Sequence, residues 1–159
     1  MLADGRPRLR ATALRALARH DRATARGVAL DALRAGGSGR LVKAAADVLR
    51  EGVLSTHELG ALVQIAQNGG RSDGERLRAI ALIRRDRWSH LAVVLDARAT
   101  ARGDGTRRQL DQELRAWIAR SGTLGRAPDA GLRRQIERRL DTLDAEQRRQ
   151  IEFVLRTTS

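Results

Sequence analysis

Cysteine is absent from the chain, and aromatic residues are scarce. Without cysteine, neither a disulfide framework nor a metal site built from thiolates can form. The aromatic residues are Trp88, Trp117 and Phe153 only, so the core must be built from leucine, alanine, valine and isoleucine. Alanine and leucine are strong helix formers, and alanine lets helix axes approach, so this composition favours closely packed helices.

Long apolar runs are missing as well. The aliphatic run of residues 91–95 is as long as any, whereas a membrane-spanning helix needs ~20 apolar residues. Residues 1–6 lack the apolar centre of a signal peptide. The sequence therefore predicts a protein without a membrane span, with the cytoplasm as its expected location.

Basic residues exceed acidic ones, with 31 against 19 and a net charge of +12. Nearly all the bases are arginine, since Lys43 is the only lysine. Half of the excess lies in residues 1–40, which carry nine basic and three acidic side chains. Such an excess favours anionic partners, namely nucleic acid, acidic proteins or acidic membrane surfaces.

Helical periodicity recurs along the chain, and no strand pattern persists. Apolar faces separated by turn signals predict about nine helices, the first with the face Leu9, Ala13, Ala16 and Leu17 and the eighth with the face Leu132, Ile136, Leu140 and Leu143. Two segments, Ser55 to Glu58 and Ser72 to Glu75, have the pattern of a capping box at a helix start. Candidate N-cap residues elsewhere are Asp21, Asp86, Asp104 and Asp144.

Internal repetition is the strongest signal of architecture. Four helix-starting segments align on Leu9, Leu41, Leu77 and Leu110, which are 32, 36 and 33 residues apart. Each segment after the first follows a Gly-rich turn and another helix. A period in this range with two helices per unit predicts an all-α fold, an α-solenoid of antiparallel helix pairs.

Residues 2–17, LADGRPRLRATALRAL, resemble the signature of the HEAT-repeat family. In that family an Asp-containing turn, often with proline, precedes an aliphatic residue, an arginine and a helix of small residues. Later units resemble it more loosely, since Lys43 stands near the family arginine and the fourth unit lacks the small alanine. The resemblance implies a HEAT-like array over residues 1–120. Residues 121–159 are then a C-terminal helical pair that caps the same domain.

The first pair of this array has no first helix, so the repeat pattern begins in the middle of a unit. An unpaired helix leaves an apolar face uncovered. We expect either further repeats upstream, which we favour, or a partner or second copy on the N-terminal helix.

Catalytic and metal signatures do not emerge from the sequence. His20, His57 and His90 are spaced by about one repeat, but no HExxH or close histidine–carboxylate cluster accompanies them, so we expect surface or cap histidines. Asp96, Asp111 and Glu113 lie among arginines at helical spacing, which favours ion pairs within helices. No P-loop, GxSxG or GxGxxG is present. The sequence predicts no catalytic site, no metal site and no cofactor.

Eight basic residues fall at the starts of the second helices, where stacked repeats would align them. They are Arg8, Arg10, Arg40, Lys43, Arg76, Arg78, Arg107 and Arg108. One interpretation is a stripe that contacts an anionic partner. The other, which we favour for the Arg10-type positions, is a ladder of pairs with the turn residues Asp4, Asp73 and Asp104.

The function predicted from these features is a non-enzymatic scaffold module that binds another protein, with an acidic protein as one candidate. The alternative is a basic binder of the duplex DNA backbone. Some HEAT-like proteins are DNA glycosylases that hold duplex DNA on a basic concave face, which is what the resemblance implies for this alternative. A third interpretation is a regulatory or scaffold segment of a larger protein. Trp88 and Trp117 are expected in the core rather than stacked on bases.

Overall fold

The computed structural model describes residues 5–36, 39–84, 87–123 and 126–158. Every regular element in these ranges is helical, which confirms the all-α class. The nine α-helices of the described ranges are α1 (Gly5–His20), α2 (Arg22–Ala35), α3 (Arg40–Arg50), α4 (Thr56–Gln67), α5 (Asp73–Leu82), α6 (Trp88–Ala99), α7 (Asp104–Arg120), α8 (Ala130–Glu137) and α9 (Ala145–Thr157). Within the same ranges, no helix combines the length and apolar character needed to cross a membrane.

Local capping explains where several helices begin. Ser55 and Glu58 form the predicted capping box of α4: the Glu58 N–H donates to Ser55 Oγ at 3.3 Å and the Ser55 N–H donates to Glu58 Oε2 at 2.7 Å. Asp21 and Asp144 cap α2 and α9 as predicted. Asp104 is instead the first residue of α7, and Asp86 lies outside the described residues.

The eighth helix is shorter than its apolar pattern predicts. α8 ends at Glu137, Leu140 lies in a 3-10 turn, Leu140–Thr142, and Leu143 follows that turn. Arg139, between the two elements, donates from Nε to the Asp96 carboxylate of α6 at 2.7 Å. This contact with another helix anchors the segment at the point where the α-helix ends.

The contacts divide the chain into two compact units, residues 1–82 and 83–159. This boundary is not the one at residue 120 that the repeat pattern suggests, and the division into an array and a cap stays a prediction. In the first unit, α1 packs on α2 and α3, α2 on α3 and α4, α3 on α5, and α4 on α5. Its core is aliphatic, with Ala29, Ala45 and Leu62 among the fully buried residues.

The second unit is organised around α6, which packs on α7 and α8, while α7 also packs on α9. α6 is buried nearly all round, including Leu91, Val94 and Leu95. A helix that is apolar on every side must be enclosed by others. The aliphatic run noted in the sequence is therefore the centre of this unit's core.

The buried face of α1 is not the predicted one. Ala11 and Leu14 are buried, whereas Ala13 and Ala16 are exposed and Leu9 is 71% exposed. α1 carries alanine or leucine on several sides, so periodicity alone does not predict which of these sides is buried. Packing against α2 and α3 makes that choice.

Candidate interface for an anionic partner

The predicted basic positions all lie in the first two turns of odd-numbered helices. Arg8 and Arg10 lie in α1, Arg40 and Lys43 in α3, Arg76 and Arg78 in α5, and Arg107 and Arg108 in α7. Six of them belong to the first unit and two to the second. The two groups are therefore separate candidates.

Helices α1 and α3 run in the same direction. Asp21 alone connects α1 to α2, and Arg26 in the second turn of α2 donates to the Glu51 carbonyl, just after α3, at 2.8 Å. The end of α1 and the end of α3 therefore lie at the same end of the unit. Arg15 and Asp47, near these two ends, agree with this, since Arg15 Nη2 lies 4.0 Å from Asp47 Oδ2.

The register of these helices brings their first turns together. Arg8 lies seven residues before Arg15, and Arg40 lies seven before Asp47. Seven residues make about two helical turns, so Arg8 and Arg40 lie on the same sides of their helices as the Arg15–Asp47 contact. They are therefore neighbours at the start of α1 and α3. Lys43 lies one turn beyond Arg40 on the same exposed line.

Arg8, Arg40 and Lys43 are exposed and make no hydrogen bond or ion pair with the described residues. The only acidic residue in the sequences of α1 and α3 is Asp47. Its carboxylate contacts two arginines, Arg15 and, at 2.9 Å, Arg50. We name this set the α1–α3 basic face; it comprises Arg8, Arg15, Arg40, Lys43, Asp47 and Arg50.

Arg10 is also exposed and makes no such contact, but it lies on another side of α1. Two residues along a helix turn through about 200°, so Arg8 and Arg10 flank the helix on opposite sides. The exposed Leu9, Ala13 and Ala16 lie on the arc between them. We name these three residues the outer stripe of α1.

Arg76 is not on the surface. It is only 3% exposed, and its Nε donates to the Ala66 carbonyl at 2.9 Å. Its Nη1 lies 3.7 Å from Asp73, the pairing expected for the ladder interpretation. Arg78, two residues on, is half-buried. Arg76 therefore serves the packing of α4 and α5.

In the second unit, Arg107 also contacts the acid at its helix start. Its Nη1 lies 3.9 Å from Asp104, and its Nη2 donates to the Ala101 carbonyl at 3.2 Å. Arg108 is exposed, and its side chain makes no hydrogen bond or ion pair with the described residues. Asp4, the third predicted acid of the ladder, lies outside the described residues.

One nearly buried ion pair of the first unit could not be predicted from the sequence. Arg26 of α2 contacts Glu58 of α4 through two hydrogen bonds, at 2.7 and 3.0 Å. These hydrogen bonds, aided by those from Ser55, lower the pKa of Glu58 to about 2, although burial opposes the shift. The capping box locates Glu58 in the sequence, but nothing local points to an arginine 32 residues earlier.

A second arginine closes the end of α2. Arg71 donates from Nη1 to the Leu33 carbonyl at 3.4 Å and from Nη2 to the Arg34 carbonyl, while Glu75 holds it at 3.3 Å. Glu75 is the N3 residue of the predicted Ser72 capping box. Both capping-box glutamates thus also hold an arginine that satisfies carbonyl groups at or just beyond a helix end.

Asp96 and Asp111 of the second unit pair with residues of other elements, where pairs within helices were expected. Arg98 of α6 donates from Nε to Asp111 of α7 at 2.6 Å. Asp96 of α6 accepts from Arg139, and from Gln135 of α8 at 2.7 Å. Because α6 packs on α7 and α8, these long side chains reach partners on neighbouring elements, which the sequence spacing does not show.

Both tryptophans lie in the core of the second unit, as predicted. Trp88 is 6% and Trp117 0% exposed, with ring centroids 5.2 Å apart at 56°. Each indole N–H donates to a backbone carbonyl, that of Arg126 for Trp88 at 2.7 Å and that of Arg87 for Trp117 at 3.1 Å. Neither ring is available to stack on a base.

The histidines are placed differently from one another. His20 and His57 are exposed, as expected, the first at the end of α1 and the second in the first turn of α4. For His90 the expectation is wrong, because it is fully buried, with Nε2 3.6 Å from Glu113 Oε2. Across the described ranges, no three histidine or acidic side chains group in a way that could hold a metal ion.

Comparison with protein-family models, with curated proteins and with solved structures finds no match to the chain.

Proposed function

We propose that the chain is a HEAT-like helical-repeat module that binds an acidic protein through the α1–α3 basic face and catalyses no reaction. The observation that carries the proposal is that Arg8, Arg40 and Lys43 are exposed and pair with none of the residues that the structure describes. Arginines elsewhere in the first unit, such as Arg26 and Arg71, satisfy carboxylates and helix ends. These three have no such role, and exposed charge of one sign on neighbouring helices favours a partner of opposite charge.

The packing of the first unit supports the repeat architecture. Odd-numbered helices contact each other, α1 with α3 and α3 with α5, and α2 contacts α4. Stacked helix pairs have this pattern of two layers. Location in the cytoplasm stays a prediction from the sequence.

Binding of the duplex DNA backbone is the second candidate, and the same three exposed basic residues favour it. A backbone binder neutralises phosphates with arginine and lysine. The buried tryptophans offer it no stacking platform. The outer stripe of α1, which is apolar and adjoins the basic face, has no role against phosphates, and for that reason we favour a protein.

A charge-reversal experiment tests the proposal. The triple variant Arg8→Glu, Arg40→Glu and Lys43→Glu is compared with a control of equal charge change, Arg115→Glu, Arg126→Glu and Arg134→Glu. The control residues are exposed, and their side chains make no hydrogen bond or ion pair with the described residues. Binding of a glutamate-rich helical peptide and of random duplex DNA is measured by fluorescence anisotropy over a salt series.

We expect the peptide to bind the unaltered protein and the control alike, and the first triple variant at least about tenfold more weakly. Equal weakening by both variants would show that net charge alone governs binding and would contradict a specific face. Tight DNA binding with a steep salt slope, lost in the first variant, would establish the second candidate instead.

A further inference from the structure

The outer stripe of α1 is an exposed apolar feature beside the basic face. Leu9 is 71% exposed, and Ala13 and Ala16 are exposed. Their spacing of four and three residues places them in one line along the helix. Two small side chains in this line leave a shallow channel in which a second helix axis can approach closely.

Arginines border the stripe on both sides. Arg8, Arg15 and Arg19 follow one edge at spacings of seven and four residues, and Arg10 lies on the other edge. α1 contains no acidic residue. Arg8, Arg10 and Arg19 make no ion pair with the described residues, and the Arg15 contact with Asp47 is long at 4.0 Å.

We infer that this stripe receives an amphipathic helix of a partner protein, with leucine-like side chains on its central line and carboxylates along both edges. The inference rests on the proposed function and deepens it by naming the surface and the kind of segment it takes. Apolar anchors at helical spacing match Leu9, Ala13 and Ala16, and the carboxylates match the arginine edges.

Charge argues against a second copy of this helix, and the apolar stripe argues against nucleic acid. A second copy of α1 would bring arginine edges against arginine edges, because the helix has no acid to offer. Nucleic acid would match the edges but would leave Leu9 without an apolar partner. An acidic amphipathic helix satisfies both the stripe and its edges.

The test uses two synthetic peptides of sixteen residues, the length of α1. Both carry glutamate along their edges; one has leucine on its central line and the other has glutamine there. The protein variant Leu9→Gln with Ala13→Gln removes the apolar stripe, and Phe153→Gln is the control, since Phe153 is an exposed apolar residue, at 66%, in the second unit. Circular dichroism and urea unfolding check that each variant folds.

We expect the leucine peptide to bind the unaltered protein at least about tenfold more tightly than the glutamine peptide. The Leu9 and Ala13 double variant should lose that preference, and Phe153→Gln should keep it. If the charge-reversal triple weakens binding but the double variant does not, the docking of a helix on the stripe is overturned while binding to an acidic protein stands.

Other results would contradict both the proposed function and this inference, or would contradict only the acidic helix as the ligand of the stripe. If neither peptide binds, the proposed function and this inference both fail. Sedimentation equilibrium of the protein alone checks for a second copy: a dimer that the double variant dissociates would overturn the inferred occupant. Duplex DNA that competes fully with the leucine peptide, and whose own binding the double variant abolishes, would overturn it as well.

Discussion

Arg26 and Glu58 form a two-pronged ion pair across 32 residues of sequence. Nε lies 2.7 Å from Oε1, and Nη2 lies 3.0 Å from Oε2. The remaining nitrogen, Nη1, donates to the Glu51 carbonyl at 2.8 Å. One guanidinium thus joins α2, the end of α3 and the first turn of α4, and its planar fork suits this combination of acceptors.

Acid should weaken the first unit through Glu58. Its pKa lies at about 2 in the folded chain against an ordinary value of 4.5, so the stabilisation is complete above about pH 5 and is lost as pH falls towards 2. That shift corresponds to up to about 3 kcal/mol of unfolding free energy. Glu58→Gln keeps the capping acceptor but removes the titration. Urea unfolding near neutral pH and near pH 3 gives the free energy of unfolding of the unaltered protein and of Glu58→Gln. The difference between the two proteins should be smaller at pH 3. An equal difference at both pH values would contradict the lowered pKa of Glu58.

Removing Arg26 should cost more than removing an exposed arginine. Both partners of the pair are nearly buried, with side chains 13% and 10% exposed, and breaking such a pair leaves an uncompensated carboxylate at a cost of about 3–5 kcal/mol. We expect this loss for Arg26→Ala and about 1–2 kcal/mol for Arg26→Lys, which keeps the charge without the fork. Arg19→Ala, an exposed position on α1, is the control, and urea unfolding is the measurement. Equal effects of Arg26→Ala and Arg19→Ala would refute the structural role.

Two glycine-to-alanine changes should have opposite signs. Gly36 has φ +81°, and an added Cβ would lie 2.6 Å from Arg71 Nη1 and would also collide with Glu75. Gly36→Ala should therefore destabilise by about 2 kcal/mol. Gly60 lies within α4, and a Cβ added there would have open space around it, so Gly60→Ala should stabilise by about 0.5–1 kcal/mol. Thermal unfolding of both variants tests the pair, and the same sign for both would contradict the cap geometry.

Fluorescence should report two enclosed indoles. Trp88 and Trp117 are shielded from water, so emission should be blue-shifted, acrylamide should quench it weakly, and duplex DNA should leave it unchanged. Trp117→Phe loses the hydrogen bond to the Arg87 carbonyl and part of the packed volume, so we expect a loss of about 2 kcal/mol. Strong quenching by added DNA would show that an indole stacks on bases.

A variant of Arg76 should distinguish an arginine that stabilises the fold from the arginines that bind a partner. Its buried guanidinium bonds the Ala66 carbonyl, so Arg76→Met should lower stability by about 2–3 kcal/mol. Peptide binding by the folded fraction should not change, in contrast to the reversal of Arg8 and Lys43. If Arg76→Met weakens peptide binding without lowering stability, Arg76 takes part in binding, and its purely structural role is contradicted.

Helix ends could be predicted because their signals are local. Ser55 and Glu58 are three residues apart, and each satisfies a backbone N–H of the other's turn. Gly36 caps the end of α2, where the backbone takes a positive φ that glycine adopts readily. The buried face of α1 could not be predicted in the same way, since Leu9 and Leu14 are equally apolar in sequence.

Predicting the candidate site was harder for a related reason. Eight basic residues lie at the starts of the second helices of the repeat pattern, but Arg76 is buried and Arg8 is exposed. The sequence pattern does not carry this difference, because it depends on whether a carbonyl such as that of Ala66 lies within reach after packing. The burial of His90, which the sequence places at the surface, could not be predicted for the same reason, because it also depends on packing.

The sequence by itself determined the helical class, most helix ends, the aliphatic core and the basic excess, because composition, periodicity and caps act over a few residues. Only the tertiary structure decided which faces are buried and which arginines are engaged. Those outcomes depend on contacts between residues as far apart as Arg26 and Glu58. Burial strengthens that pair, whereas Arg8, Arg40 and Lys43 lie in solvent and pair with none of the described residues.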